Sequence, residues 1–157
     1  MQLRKIFLSL IAGLGASTVH LVLMELKHRS GILPSFDPYT DLQRMLAAFS
    51  SLAISPPWSW LLPYLNGAMV LGFLFGQSFA YLPGVSFWSK GITFGILSWL
   101  LLGLGLLPLA GSGIFAHKLA LGIMPALLML VMLTVYGVAV SWLYGWLNTR
   151  WAQTTES

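Results

Sequence analysis

Apolar runs broken by short clusters of charge set the plan of this chain. No Asp, Glu, Lys or Arg falls between Lys5 and Glu25, between Arg44 and Lys90, between Lys90 and Lys118, or between Lys118 and Arg150. A helix that crosses a bilayer needs about 20 predominantly apolar residues, and each of these gaps can hold one. The pattern predicts four transmembrane helices, from about Ile6 to Leu26, Trp60 to Tyr81, Lys90 to Leu109 and Lys118 to Leu147. Backbone groups in lipid have to be satisfied within the segment, which makes runs of this length helices. The period-two alternation of a membrane barrel is missing from the sequence.

The first connection is the long one, and it is expected to carry a helix of its own at about residues 38–53. Asp37 before Pro38, and Thr40 with Gln43 three residues on, are helix-start signals. Leu42, Met45, Leu46, Phe49, Leu52 and Ala53 then fall on one face, with Asp41, Arg44 and Ser50 off it. An amphipathic helix of this kind belongs in the membrane interface. Pro56-Pro57 ends it, and Trp58, Trp60 and Tyr64 mark the return to headgroup depth. Trp142, Tyr144, Trp146 and Trp151 make a similar belt at the other end. Leu82-Pro83-Gly84 and Gly111-Ser112-Gly113 are tight turns. Pro63 falls in the first turn of the second span, where its missing N–H costs little. Pro125 is expected to kink the fourth. The resulting fold class is an all-α membrane protein: a four-transmembrane-helix bundle with one interfacial helix, a single domain over residues 1–157.

Composition agrees with this and narrows the function classes. Of 157 residues, 57% are hydrophobic and 8% charged, about a third of the charge of a soluble domain. The net charge of +4 resides at the ends of apolar runs, where basic residues anchor helices. It forms no stripe with interleaved stacking residues, so nucleic acid is not an expected partner. Cysteine is absent, which excludes disulfides, thiolate metal sites and Cys nucleophiles. Arg4 and Lys5 before an apolar run imitate a signal peptide, with Gly15-Ala16-Ser17 as a cleavage site. Apolar character continues to Leu26, however, and an uncleaved anchor is expected.

Small residues recur at four-residue spacing in every span. The first has Ala12 and Ala16, and Gly13 and Ser17; the second has Gly72, Gly76 and Ala80. The third has Gly91 and Gly95; the fourth has Gly137, Ser141 and Gly145. Lipid tails are as apolar as Leu, so helices associate through close packing, and such stripes are read as intramolecular packing faces. Asn66-Gly67 and Tyr136-Gly137, each followed by a glycine-bearing apolar run, hint at two parallel hairpin repeats.

His20 is the most informative ionisable residue. It lies about 21 Å along the first helix from Ile6, on the stripe of Gly13, Ala16 and Ser17, and is expected to point into the bundle. An intramembrane ionisable residue is a functional candidate; the plainer reading is a neutral imidazole hydrogen-bonded to a neighbouring helix, near Ser112 or Pro108. His117 is the second candidate, since two imidazoles on separate helices can ligate a haem iron or a pigment magnesium. No metal site is expected, and no cofactor is assigned. Glu25, Lys27, His28 and Arg29 read as an interfacial anchor. The chain lacks a nucleophile elbow, a phosphate loop and HExxH, and has only four carboxylates; it is not expected to be an enzyme.

Pro34-x-x-Asp37, the short amphipathic helix, a polar residue before Gly67, Leu82-Pro83-Gly84, Pro108-Leu109-Ala110-Gly111 and the terminal Tyr136-Gly137 helix together resemble a family of small bacterial four-helix integral membrane proteins of unknown function. The resemblance runs from about Gly13 to Gly145 and supplies no activity. Where it implies a His before the glycine of the second span, this chain has Asn66, which counts against metal or haem there. It places the chain in the bacterial inner membrane. Basic residues tie at four a side: Arg4, Lys5, Lys90 and Arg150 against Lys27, Arg29, Arg44 and Lys118. The longer first loop tolerates translocation better, which puts both termini in the cytoplasm. The first expectation for function is a non-enzymatic structural or accessory subunit, partnered by membrane lipid and by other membrane subunits or a second copy. The alternatives are a small-molecule, haem or pigment site centred on His20 and, third, a transporter subunit.

Overall fold

The computed structural model describes residues 2–32, 61, 64–109 and 111–154. These residues are helical, with no strand among them. Helix α1 is Gln2–Ser30. In helix α2 the helical Tyr64 and Leu65 lead into the π-helical stretch Asn66–Leu71, which continues as the α-helical Gly72–Ser78. Helix α3 is α-helical over Phe87–Leu101, widens to π turns at Leu102–Leu106 and closes at Leu107–Leu109. A 3₁₀ segment, Ile114–Leu119, precedes α4, Met124–Thr154. Three of these helices are long and apolar enough to cross a membrane: Leu3–Ser30, Phe87–Leu109 and Met124–Trp151. The apolar part of α2 within the described residues, Gly67–Ser78, is shorter. The expected interfacial helix at 38–53 and the opening of the second span, Trp60 and Pro63 included, lie outside the described residues.

The last helix corrects the sequence reading. It starts at Met124 and not near Lys118. Phe115, Ala116 and Ala120 all have positive φ (49°, 62° and 56°), and Gly122 follows at 64°; a left-handed backbone cannot continue an α-helix. Pro125 is therefore the second residue of α4. At that position a helix needs no donor from it, so it starts the helix where a kink was expected. Ala80 likewise falls beyond the end of α2, exposed in the turn, and does not continue the Gly72–Gly76 stripe.

The helices pack antiparallel in sequence-adjacent pairs, with α4 against both α1 and α3. The N-terminus of α1 lies beside the C-terminus of α4, where Phe7 meets Trp151 edge-on at 6.4 Å and Arg4 bonds to Asn148. This is the near end of the bundle. The α2–α3 turn lies there too, capped by Ser86, whose hydroxyl accepts from the Ser89 N–H. At the near end Lys90 donates to the Phe79 carbonyl (2.9 Å) with its Nζ 4.2 Å over the Phe79 ring. The core is centred on Phe75, whose ring meets Phe94 of α3 at 5.1 Å and Tyr144 of α4 at 5.8 Å. Leu8, Ala12, Ala16, Tyr136 and Val140 complete it. A second apolar cluster, Leu107, Ala116 and Met129, closes the far end. There Phe115 tilts against Trp99 at 4.5 Å, and Trp99 donates to the Ala126 carbonyl (2.8 Å). Outward faces carry large apolar side chains, Val22, Leu97 and Val131 among them.

Candidate functional site

Ser17, His20 and Tyr136 come together where α1, the π turns of α2 and the middle of α4 meet, while the buried Ser9, Ser98, Ser112 and Ser141 lie elsewhere in the bundle. In a π turn the N–H reaches back five residues, and here the Gly72 N–H bonds to the Gly67 carbonyl. The buried Tyr136 hydroxyl of α4 donates to that same carbonyl. The Tyr136 hydroxyl thus adds a second donor to the carbonyl that closes the π turn. Position 67 has no side chain, and a Cβ there would collide with the Ser17 hydroxyl, so its absence is what lets α1 approach α2 at this level.

His20 stands one turn beyond Ser17 on α1. Its ring meets the ring of Tyr136 edge-on at 6.3 Å, and its imidazole hydrogen-bonds the backbone of Met132, one turn before Tyr136. The ring thus points inward, against α4. Ser17 donates to the Gly13 carbonyl (2.8 Å), one turn back on its own helix. At the rim Thr18 and the Tyr64 hydroxyl are 3.0 Å apart and tie α1 to the start of α2. The cluster pairs neutral donors with backbone carbonyls across three helices. Among the described residues no group of three His, Cys, Asp or Glu side chains could hold a metal ion.

His117 lies elsewhere, exposed in the 3₁₀ segment. Glu25 and Arg29 pair at 2.8 Å on the exposed end of α1.

The small residues fall on two seams. Between α1 and α2, a Cβ on Gly13 would lie 2.9 Å from the Ala68 carbonyl oxygen and from the Gly72 Cα. A Cβ on Gly72 would lie 2.9 Å from the Ser9 carbonyl oxygen, and one on Gly76 would lie 2.5 Å from the Ser9 hydroxyl and Cβ. Between α3 and α4, Gly91 and Gly95 face the backbone of Gly137–Val138 and Leu133–Thr134, and Gly145 faces the Phe87 ring. Ser141 donates to the Phe87 carbonyl at 2.7 Å.

Sequence reasoning reached His20 and Ser17 through their shared stripe but missed Tyr136 and Gly67 as partners. The available signal was a Tyr in mid-span beside Gly137, because a phenol buried in an apolar run needs an acceptor. What it could not show is that the acceptor belongs to α2.

The model of a family described as "Family of unknown function (DUF6789)" matches residues 3–155, and the chain belongs to that family. No curated protein and no solved structure matches the chain.

Proposed function

We propose that the chain is an integral membrane protein of four spans, a non-enzymatic structural or accessory subunit that packs with lipid or within a larger membrane complex. The observation that carries this reading is the distribution of apolar surface. The three long helices turn large apolar side chains outward while their inward seams close to backbone contact. Such an inside-out balance suits a hydrocarbon solvent. The interior polar groups support a structural role, because the Tyr136 and His20 donors are aimed at carbonyls of neighbouring helices.

Chain direction supports the fourth span. α1 runs from the near end to the far end. α3 starts again at the near end, where Phe87 meets Ser141 and Gly145 of α4. If α1 and α3 both cross, the chain between them crosses back. α2 runs in that direction, since Thr18 meets Tyr64 while Ser9 faces Gly76. Both termini then share one side, assigned here to the cytoplasm of a bacterial inner membrane.

The absence of cysteine makes single-cysteine labelling in intact cells a direct test. Leu3→Cys and Val85→Cys are expected to resist a membrane-impermeant maleimide until lysis, and Ile114→Cys to react in intact cells. Labelling of Val85→Cys on the side opposite to Leu3→Cys would overturn the four-span arrangement. The purified protein is expected to show no visible absorption band. A band lost in both His20→Gln and His20→Leu would replace the structural role with cofactor binding.

A further inference from the structure

Between α3 and α4 the far end is closed by a segment that is strained in its backbone and held by apolar contacts. Phe115, Ala116 and Ala120 have left-handed φ of 49°, 62° and 56°. There a Cβ crowds the following carbonyl oxygen, so each residue is kept at a cost, and such outliers persist where the surroundings hold them. Phe115 lays its ring against the π turns of α3 in a notch left by Gly103, where a Cβ would collide with that ring. Trp99 flanks the ring at 4.5 Å and is itself tied to the first turn of α4 through the Ala126 carbonyl. Ala116 is fully buried with Leu107 and Met129, and Leu119 packs beside them. The hydrogen bonds of the segment are local: Ala116 N–H to the Gly113 carbonyl, Lys118 N–H to that of Ser112 and Ala120 N–H to that of His117. Among the described residues none joins residues 113–120 to a helix of the bundle. Gly111 and Gly122 bound the segment, both at positive φ and both with open space where a Cβ would be. Residues of this kind can absorb the φ/ψ change of a hinge.

We propose that residues 113–120 are a strap with two positions. In the seated position, the one described, Phe115 fills the Gly103 notch. In the released position the strap has pivoted about Gly111 and Gly122, Phe115 and Ala116 have left the bundle, and the Leu107–Met129 cluster is open at the far end. Burial of one aromatic ring and one methyl group favours seating. Relief of three left-handed residues and recovered chain freedom favour release. The two sides are of the same order, which makes the strap bistable, whereas the core around Phe75 rests on helices that carry no such strain. Release uncovers the Trp99 ring, Leu107 and Met129 in one step, so the strap controls access to that apolar cluster. The inference goes beyond the accessory role and does not depend on the number of spans.

The test labels single cysteines in the full chain, purified in detergent, with a small water-soluble maleimide; the chain has no cysteine of its own. Leu107→Cys, buried beneath the strap, reports release, and it removes bulk and so does not push the strap out. Ile114→Cys, at an exposed position, sets the unhindered rate. Ser141→Cys, buried in the α3/α4 seam beside Phe87, reports opening of the whole bundle. Leu107→Cys is expected to label about tenfold or more slower than Ile114→Cys and about tenfold or more faster than Ser141→Cys, as local opening outpaces global opening. Adding Phe115→Ala should speed labelling at Leu107→Cys about tenfold and leave Ser141→Cys unchanged. Adding Ala120→Gly keeps the contacts and relieves one left-handed residue, so it should slow labelling at Leu107→Cys about threefold. Ala120→Gly alone decides the matter if Phe115→Ala is not recovered folded. Labelling of Leu107→Cys as fast as Ile114→Cys would mean that Phe115 is not seated, and labelling no faster than Ser141→Cys that nothing is released short of unfolding. Equal acceleration of both buried positions by Phe115→Ala would mean general loosening, and faster labelling with Ala120→Gly that the strap stores no strain. Any one of these results overturns the proposal.

Discussion

Along the α3/α4 seam Gly91, Gly95 and Gly137 touch the backbone of the facing helix, and Gly145 faces the Phe87 ring. A Cβ on Gly91 would lie 2.7 Å from the Gly137 carbonyl oxygen and from the Val138 Cα, and a Cβ on Gly95 would lie 2.6 Å from the Thr134 Cα. Along the α1/α2 seam the Gly13–Gly72 step is also of that kind, with the Ala68 and Ser9 carbonyl oxygens 2.9 Å from the two Cβ positions. On either side of it the glycines face small side chains, Gly76 facing Ser9 and Gly67 facing Ser17. Those hydroxyls are turned back onto their own helix, Ser9 to the Ile6 carbonyl and Ser17 to the Gly13 carbonyl, both at 2.8 Å. Both seams obey the same four-residue rule, which brings helices together where no hydrophobic effect drives them. They differ in what can give way. Ser17 can turn its hydroxyl away from Gly67, and the Ser9 side chain facing Gly76 can be removed by substitution, neither of which is open to backbone, so the α3/α4 seam is the rigid half of the bundle and α1/α2 the adjustable half. The π turns of α2 and the polar tie from Tyr136 lie on the adjustable seam.

The largest effect is expected from a side chain forced into the rigid seam. Gly91→Leu should cost at least the ~3 kcal/mol at the upper end of overpacking and leave little folded protein in a detergent melt. Gly91→Ala should already be clearly destabilised, and no single trimming substitution on α4 should rescue it, because the obstructing atoms are backbone. Rescue of Gly91→Ala by a smaller residue at Thr134 or Val138 would erase the distinction between the seams.

Next comes Tyr136→Phe. It removes the donor from the Gly67 carbonyl and is expected to cost about 1–3 kcal/mol in chemical denaturation. If Tyr136 is what holds the π turns open, the variant should also gain an α-type bond at Asn66–Leu71, read as increased amide protection in hydrogen exchange. Wild-type protection there would show that the widening has another cause.

A smaller effect is expected on the adjustable seam. Gly76→Ala should cost about 1 kcal/mol, below Gly91→Ala, and Gly76→Leu more. Pairing Gly76→Ala with Ser9→Gly should restore clearance and give a favourable coupling energy of about 0.5 kcal/mol or more in a double-mutant cycle. Strict additivity would mean that the two residues do not meet.

Gly105 supplies the baseline. A Cβ there meets nothing within 4 Å, so Gly105→Ala should be neutral or stabilising by up to ~1 kcal/mol. A melt lowered as far as that of Gly91→Ala would show that something packs on this face of α3.

Much of the helical content was legible along the chain, and the glycines marked by the small-residue periodicity lie on seams, whereas Ala80, marked by the same rule, lies in the turn beyond α2. Less was legible at the ends of elements. Pro125 looked like an interior kink because the apolar run extends back to Leu119. Only the left-handed backbone at Ala120 and Gly122 shows that the helix has not yet begun. His20 was legible as an inward-facing group, but the chain alone points to neighbours near Ser112 and Pro108, whereas the ring meets Tyr136 and Met132 of α4.

The sequence by itself determined that the chain is helical, where its long apolar runs lie and which positions are small enough for helices to meet. Those properties are sums over neighbours within one or a few turns, and a reader of the chain has all of those neighbours in view. Tertiary structure alone decided which stripe meets which, that α4 packs against both α1 and α3, and that the α2 ladder opens at the carbonyl Tyr136 reaches. It also decided that Arg4 of α1 bonds to Asn148 of α4. Each of these joins residues on different helices, and an apolar run encodes no preference for one partner over another. That choice is made by the fit of backbone to backbone and by the few donors that must find an acceptor in the interior.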